Sequence, residues 1–99
     1  MAQEYGDDIF QTDSGYALDL AIRLPKGLHS RPSARLAQTA REFDARILLI
    51  ADEGEVDAKS MLDVLSLALQ RDDKVRIFAA GPEAKEAIKA IAALLEGRE

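Results

Sequence analysis

The chemistry in this chain concentrates in Lys26-Gly27-Leu28-His29-Ser30-Arg31-Pro32-Ser33-Ala34, which contains its one histidine. Pro32 fits the first turn of a helix, where no intrahelical N–H is required of it. Ser30 or Arg31 is then the cap residue, with serine much the better capper. Behind it Ala34, Leu36, Ala37, Ala40 and Phe43 recur at three- and four-residue steps, an amphipathic stripe that carries the helix to about Phe43. His29 therefore stands at the open N-terminus of a helix, where unpaired backbone N–H groups and the positive end of the dipole favour an anion. Arg31 offers planar donors suited to phosphate oxygens. The hydroxyls of Ser30 and Ser33 can donate as well, and Gly27 permits a tight backbone beside them. A nucleophilic imidazole among anion-binding groups is a place to put a phosphoryl group. A lone histidine is more often a packing or surface detail, and residue types alone leave both readings open.

The flanking elements must hold that stretch in place. From Tyr16 to Leu24 the chain alternates, with Leu18, Leu20, Ile22 and Leu24 on one side and Ala17, Asp19, Ala21 and Arg23 on the other, a strand with one wet face. Pro25-Lys26-Gly27 breaks it. Arg46 to Ala51 is a second strand, Asp52-Glu53-Gly54 a turn, and Glu55 to Ala58 a short third strand. A second helix begins near Ser60, is apolar over much of its circumference from Met61 to Leu69, and ends at Asp72-Asp73. Lys74 to Ala80 alternates as a fourth strand. Gly81-Pro82 turns into a last helix, with Pro82 at its start, Glu83 in its first turn and a stripe from Ala84 to Leu95. The order β-α-β-β-α-β-α, with a stripe on every helix, implies an α+β fold. It consists of a four-stranded antiparallel sheet in a split β-α-β arrangement, with three helices on one face. Periodicity does not separate this from a ferredoxin-like regulatory domain of the same element order. Residues 1–15 are acidic and short of large apolar side chains, with Tyr5, Ile9 and Phe10 as anchors, and read as a flexible leader ahead of a domain at 16–99.

Composition narrows the function. With 99 residues the chain is one domain, and without cysteine it has neither disulfides nor thiolate metal ligands. One histidine makes a zinc site unexpected, and neither a metal nor a cofactor is expected. A net charge of −5 argues against nucleic-acid binding, which needs clustered positive charge. No apolar run reaches membrane-spanning length and no signal peptide is visible, so a cytoplasmic monomer with no membrane partner is expected.

Gly27-Leu28-His29-Ser30-Arg31-Pro32-Ser33-Ala34 closely resembles the active-site signature of the HPr family, the histidine phosphocarriers of the bacterial phosphoenolpyruvate-dependent phosphotransferase system. Lys59-Ser60-Met61-Leu62-Asp63-Val64-Leu65-Ser66-Leu67 resembles the family's regulatory-serine segment. The two blocks lie at the family's separation, and the similarity runs from about Tyr16 to Leu95. The resemblance implies an open-faced β-sandwich. It also implies a carrier, not an enzyme in its own right, that takes a phosphoryl group from phospho-enzyme I on Nδ1 of His29. That group passes to enzyme IIA-type proteins, with Arg31 stabilising the phosphate and Gly27, Ser30 and Pro32 shaping its backbone site. Partners would dock on an apolar patch from Met61, Leu62 and Leu65 with a basic rim of Lys26, Arg31, Arg35 and Lys59.

By its own chemistry Ser60 is a helix N-cap; the resemblance adds phosphorylation there by an ATP-dependent HPr kinase/phosphorylase. Two positions depart from the family. Asp72 replaces a glycine in the turn after the second helix, which it should tolerate in left-handed geometry. Ala68 replaces a glycine within that helix and should favour helicity. Two further functions stay open beside the sugar-transport carrier. One is a regulatory, nitrogen-related phosphotransfer paralogue. The other is an interaction module whose serine-phosphorylated form binds a transcription factor. A module of that kind has no use for both His29 and Arg31.

Overall fold

Alternation in the three longest strands places every second side chain beneath the helices. The computed structural model describes residues 8–98. Its antiparallel sheet comprises β1 (Phe10–Gln11), β2 (Tyr16–Ala21), β3 (Arg46–Ala51), β4 (Gly54–Asp57) and β5 (Lys74–Ala80), in the spatial order β1-β2-β5-β3-β4. The helices are α1 (Ser30–Arg41), α2 (Met61–Ser66) and α3 (Ala84–Leu95). α3 crosses β2, β5 and β3, while α1 packs against α2 and α3. Leu18, Ile22, Ile47, Leu49, Val75 and Ile77 of the sheet share one buried core with Leu36, Ala40, Val64, Ile88, Ile91 and Leu95 of the helices. β5 lies between β2 and β3, so the split arrangement and the one-sided helix layer are as expected.

The sheet has five strands, not four. Phe10 and Gln11 pair with Ala17 and Tyr16. The intervening turn is closed by the Thr12 N–H on the Gly15 carbonyl (2.8 Å) and the Gly15 N–H on Thr12 Oγ1 (3.0 Å). Phe10 lies on the open face of the sheet with its ring centroid 5.1 Å from the Arg76 guanidinium carbon, a cation–π contact. Arg76 in turn grips Asp19 across the β2–β5 pair, Nε to Oδ1 at 2.6 Å and a terminal nitrogen to Oδ2 at 3.0 Å. The acidic leader expected over 1–15 thus belongs to the sheet from Phe10 onward. Residues 1–7, with the expected anchor Tyr5, lie outside the described residues. A two-residue strand leaves no alternation to read. One physical reason for its shortness is visible in the register: continuing it would set Asp8 directly opposite Asp19, a like-charge pair.

The second helix is shorter than its apolar pattern. α2 stops at Ser66, because the N–H groups of Leu67 and Ala68 fold back onto the Val64 and Leu65 carbonyls and Ala68 turns to φ +49°. Ala68 therefore does not extend the helix; it occupies the left-handed position that ends one, where glycine is usual. Leu67 and Leu69 still reach the core from irregular backbone. Asp72 takes φ +74°, the geometry expected of it, and is tied down twice: its carboxylate accepts from Arg23 at 2.8 Å and its N–H donates to the Ile22 carbonyl at 2.8 Å. At the last helix, Pro82 and Glu83 precede the first turn. The Glu83 carboxylate is drawn instead to the Asp44 N–H at 2.7 Å.

Ala68 is exposed and strained. Ala68→Gly should therefore stabilise the protein by about 1 kcal/mol, the relieved strain less the entropy that glycine adds to the unfolded chain. A rise of a few degrees in the melting midpoint is expected, and a lowered midpoint would contradict it. The second prediction concerns acid. Hydrogen bonds from Arg76 hold the Asp19 carboxyl below the usual carboxylate range, with burial opposing and the guanidinium charge assisting. A depressed native value stabilises the fold above the unfolded pKa of about 4, and that contribution is lost as pH falls through the native value. The stability gap between wild type and Asp19→Asn in urea titrations should be widest near neutrality and close in acid. A gap independent of pH would count against the pair.

Candidate functional site

The turn from β2 into α1 requires glycine at one point. Gly27 is buried at φ +71°, and a Cβ there would stand 2.6 Å from the Leu69 carbonyl oxygen and 2.9 Å from Gln70 Cα. Both the left-handed backbone and the close approach exclude a side chain. The Gly27 N–H closes the turn on the Leu24 carbonyl at 2.9 Å, and the buried Leu28 sends its N–H to the Leu69 carbonyl at 2.9 Å. The segment after α2 is thus the base on which the His29 turn rests.

His29 is itself the N-cap, in extended backbone (φ −78°, ψ −168°), and it is exposed. The helix starts before the Ser30 or Arg31 cap read from the sequence: the Ser33 N–H on the His29 carbonyl at 3.0 Å is its first bond. Pro32 becomes the third helical residue, still within the turn whose N–H groups have no intrahelical partner. The cap side chain makes no hydrogen bond, the first turn carries no acidic residue, and the N–H groups of Ser30 and Arg31 have no acceptor among the described residues. Ser30 and Arg31 are exposed beside the imidazole. An exposed imidazole thus caps a helix end that has two backbone donors without an acceptor, Arg31 two residues on and no carboxylate in its first turn, which suits a doubly charged oxyanion.

Ser33 departs from the sequence reading. It is fully buried, and its Oγ donates to the Leu28 carbonyl at 3.0 Å, so its hydroxyl faces the fold and not an anion. Nothing in its spacing reveals that contact, because the acceptor lies five residues back.

The structure also separates the basic residues. Lys26 lies in the site turn, and Arg35 follows Arg31 by one helical turn; both are exposed. Lys59 is elsewhere: its Nζ donates to the Phe43 carbonyl at 3.2 Å, just past the C-terminal end of α1. The 12 residues of α1 span about 18 Å, so Lys59 does not belong to a rim around His29. A carbonyl-rich helix end attracts a cation, and that attraction accounts for its place. With Lys59 at one end of α1 and Leu69 at the other, α2 runs antiparallel to α1. Along it Leu62 is 76% exposed, while Met61 and Leu65 are half-buried. Ser60 caps α2, its Oγ accepting the Asp63 N–H at 3.3 Å, at the end remote from His29. Among the described residues no group of His, Cys, Asp and Glu is arranged to hold a metal, and no helix is long and apolar enough to cross a membrane.

Comparison with known proteins agrees with this architecture. The family profile described as "PTS HPr component phosphorylation site" matches residues 18–97. The chain is 36% identical over 81 residues to the phosphocarrier protein HPr of Vibrio cholerae, covering 82% of this chain and 95% of that one. It is 38% identical over 76 residues to that of Mycoplasma genitalium, covering 76% and 86%. The multiphosphoryl transfer protein of Xanthomonas campestris is 37% identical over an alignment of 97 residues that covers 92% of this chain but only 12% of that protein. Among solved structures, HPr-C-His of Thermoanaerobacter tengcongensis superposes with a TM-score of 0.78 at 35% identity over 83% of this chain and 92% of its own. HPr of Bacillus anthracis does so with 0.77 at 34%, over 80% and 94%. With both the site segment and the split antiparallel sheet in place, the chain belongs to the HPr family of bacterial phosphotransferase-system phosphocarriers.

Proposed function

We propose that this chain accepts a phosphoryl group on Nδ1 of His29 from phospho-enzyme I and gives it to an enzyme IIA-type protein. The observation that carries the reading is the exposed imidazole at the cap of α1, beside N–H groups without an acceptor. In the transfer the ring nitrogen forms its bond to phosphorus as the donor's bond to phosphorus breaks, and the reverse sequence releases the group to the next acceptor. The helix end and the Arg31 guanidinium compensate the added negative charge. At an exposed helix end that compensation is worth about 0.3–1 kcal/mol per charge. The modest figure suits a carrier that must also give the group up. Most of the acceleration then comes from the partner, which aligns donor and acceptor. Retention of both His29 and Arg31 favours transfer over a docking-only module.

Leu62, with Met61 and Leu65 beside it, supplies the apolar docking patch, and Lys26, Arg31 and Arg35 supply the cationic rim. Such a rim speeds encounter more than it deepens affinity, as a transient relay requires. Ser60 is the regulatory site in this reading. A phosphate there keeps its place at a helix N-terminus but sets negative charge at the edge of the docking patch, one helix length from His29. Its effect therefore falls on docking.

Incubation with phosphoenolpyruvate and enzyme I should add an acid-labile mass of about 80 Da, one phosphoryl group, to the wild type and nothing to His29→Ala. A wild type that gains no mass, or a His29→Ala chain that gains it, would end the proposal. Ser60→Asp should melt close to the wild type, because aspartate caps helices as well as serine does. It should nevertheless accept the group from enzyme I more slowly; equal rates would remove the regulatory role.

A further inference from the structure

Ser33 is the one polar side chain buried among the described residues. Alanine would fill the same helical position with better propensity and no hydroxyl to desolvate. The hydroxyl therefore calls for a role beyond packing. Its Oγ holds the Leu28 carbonyl at 3.0 Å, and its own N–H holds the His29 carbonyl at 3.0 Å. One residue thus pins both peptide planes that meet at the His29 Cα. A trans peptide is planar, with its C=O and N–H on opposite edges. Holding the Leu28 carbonyl turns the His29 N–H the other way, and holding the His29 carbonyl aims the Ser30 N–H out of the open helix end. Together the planes set φ −78° and ψ −168° at His29, and with them the direction of its Cα–Cβ bond.

We propose that Ser33 is a positioning residue for phosphoryl transfer at His29, its hydroxyl holding the Leu28–His29 peptide plane while the first backbone bond of α1 holds the next. This rests on the reading of His29 as the acceptor. Ser33 is buried and makes no hydrogen bond to the imidazole. Its loss should misplace the ring without altering the patch on α2, and misplacement slows a transfer step without weakening docking.

The test is Ser33→Ala in the full chain, phosphorylated by phosphoenolpyruvate and enzyme I over a range of carrier concentrations, with melting followed in parallel. Expected are a folded chain, an unchanged KM and a kcat lowered roughly tenfold. An unchanged kcat, or a change confined to KM, overturns the proposal. So does a variant that fails to fold, since the hydroxyl would then be an element of stability alone. If the wild type itself is not phosphorylated, the acceptor reading fails first and this inference goes with it; a phosphorylated wild type with an unaffected Ser33→Ala sinks the inference only.

Discussion

The site depends on one backbone contact between distant parts of the chain. The Leu69 carbonyl accepts the Leu28 N–H while Gly27 passes so near it that a Cβ would overlap. That approach fastens the turn carrying His29 to the segment after α2, and the rest of the molecule keeps the two segments in register. β2 leads into the first segment and the second leads into β5, and the β2–β5 pairing is prolonged by the Ile22 N–H on the Asp73 carbonyl and the Asp72 N–H on the Ile22 carbonyl. α1 starts within two residues of the contact and α2 ends within three. The placement of the imidazole is therefore a property of the whole sheet-and-helix layer, transmitted through main-chain bonds that side-chain identity hardly reveals.

The same observation explains what could be read from residue order and what could not. Strands β2, β3 and β5 and helices α1 and α3 follow periodic burial, which a sequence displays directly. The start of a helix near His29 is legible because glycine and proline constrain backbone in known ways, although the cap proves to be His29 itself and not Ser30 or Arg31. The apolar pattern overextends α2 because Leu67 and Leu69 continue it after the hydrogen-bond ladder has ended, and nothing about alanine announces left-handed geometry at position 68. The sequence marks Phe10 as an anchor of the leader but not as a strand residue, because its partners, Arg76 and Ala17, are distant in sequence. The charge of Lys59 suggests a place in the basic rim, but its ammonium is held instead by the Phe43 carbonyl just past the end of α1. Longer-range contacts, not local propensity, decided each of these.

Charge is distributed by face. On the open side of the sheet Asp19 and Arg76 neutralise one another beneath Phe10, and near the far end of β2 Arg23 is absorbed by Asp72. The turn into α1 is different: Lys26, Arg31 and Arg35 gather near a helix terminus whose first turn lacks any carboxylate. A chain of net charge −5 thus keeps a positive locality around its histidine. Its acidic residues elsewhere repel nonspecific anionic surfaces without cancelling that locality.

His29 is exposed at the start of α1, and its side chain makes no cap hydrogen bond. Whatever is attached there meets bulk water on its outer side unless another protein covers it. A single acceptor side chain is covered by one partner at a time. In the proposed relay, donor and recipient therefore take turns, and between visits the cargo survives only as long as uncatalysed hydrolysis allows. The lifetime of the loaded form is consequently a built-in clock, governed by how quickly the next visitor arrives.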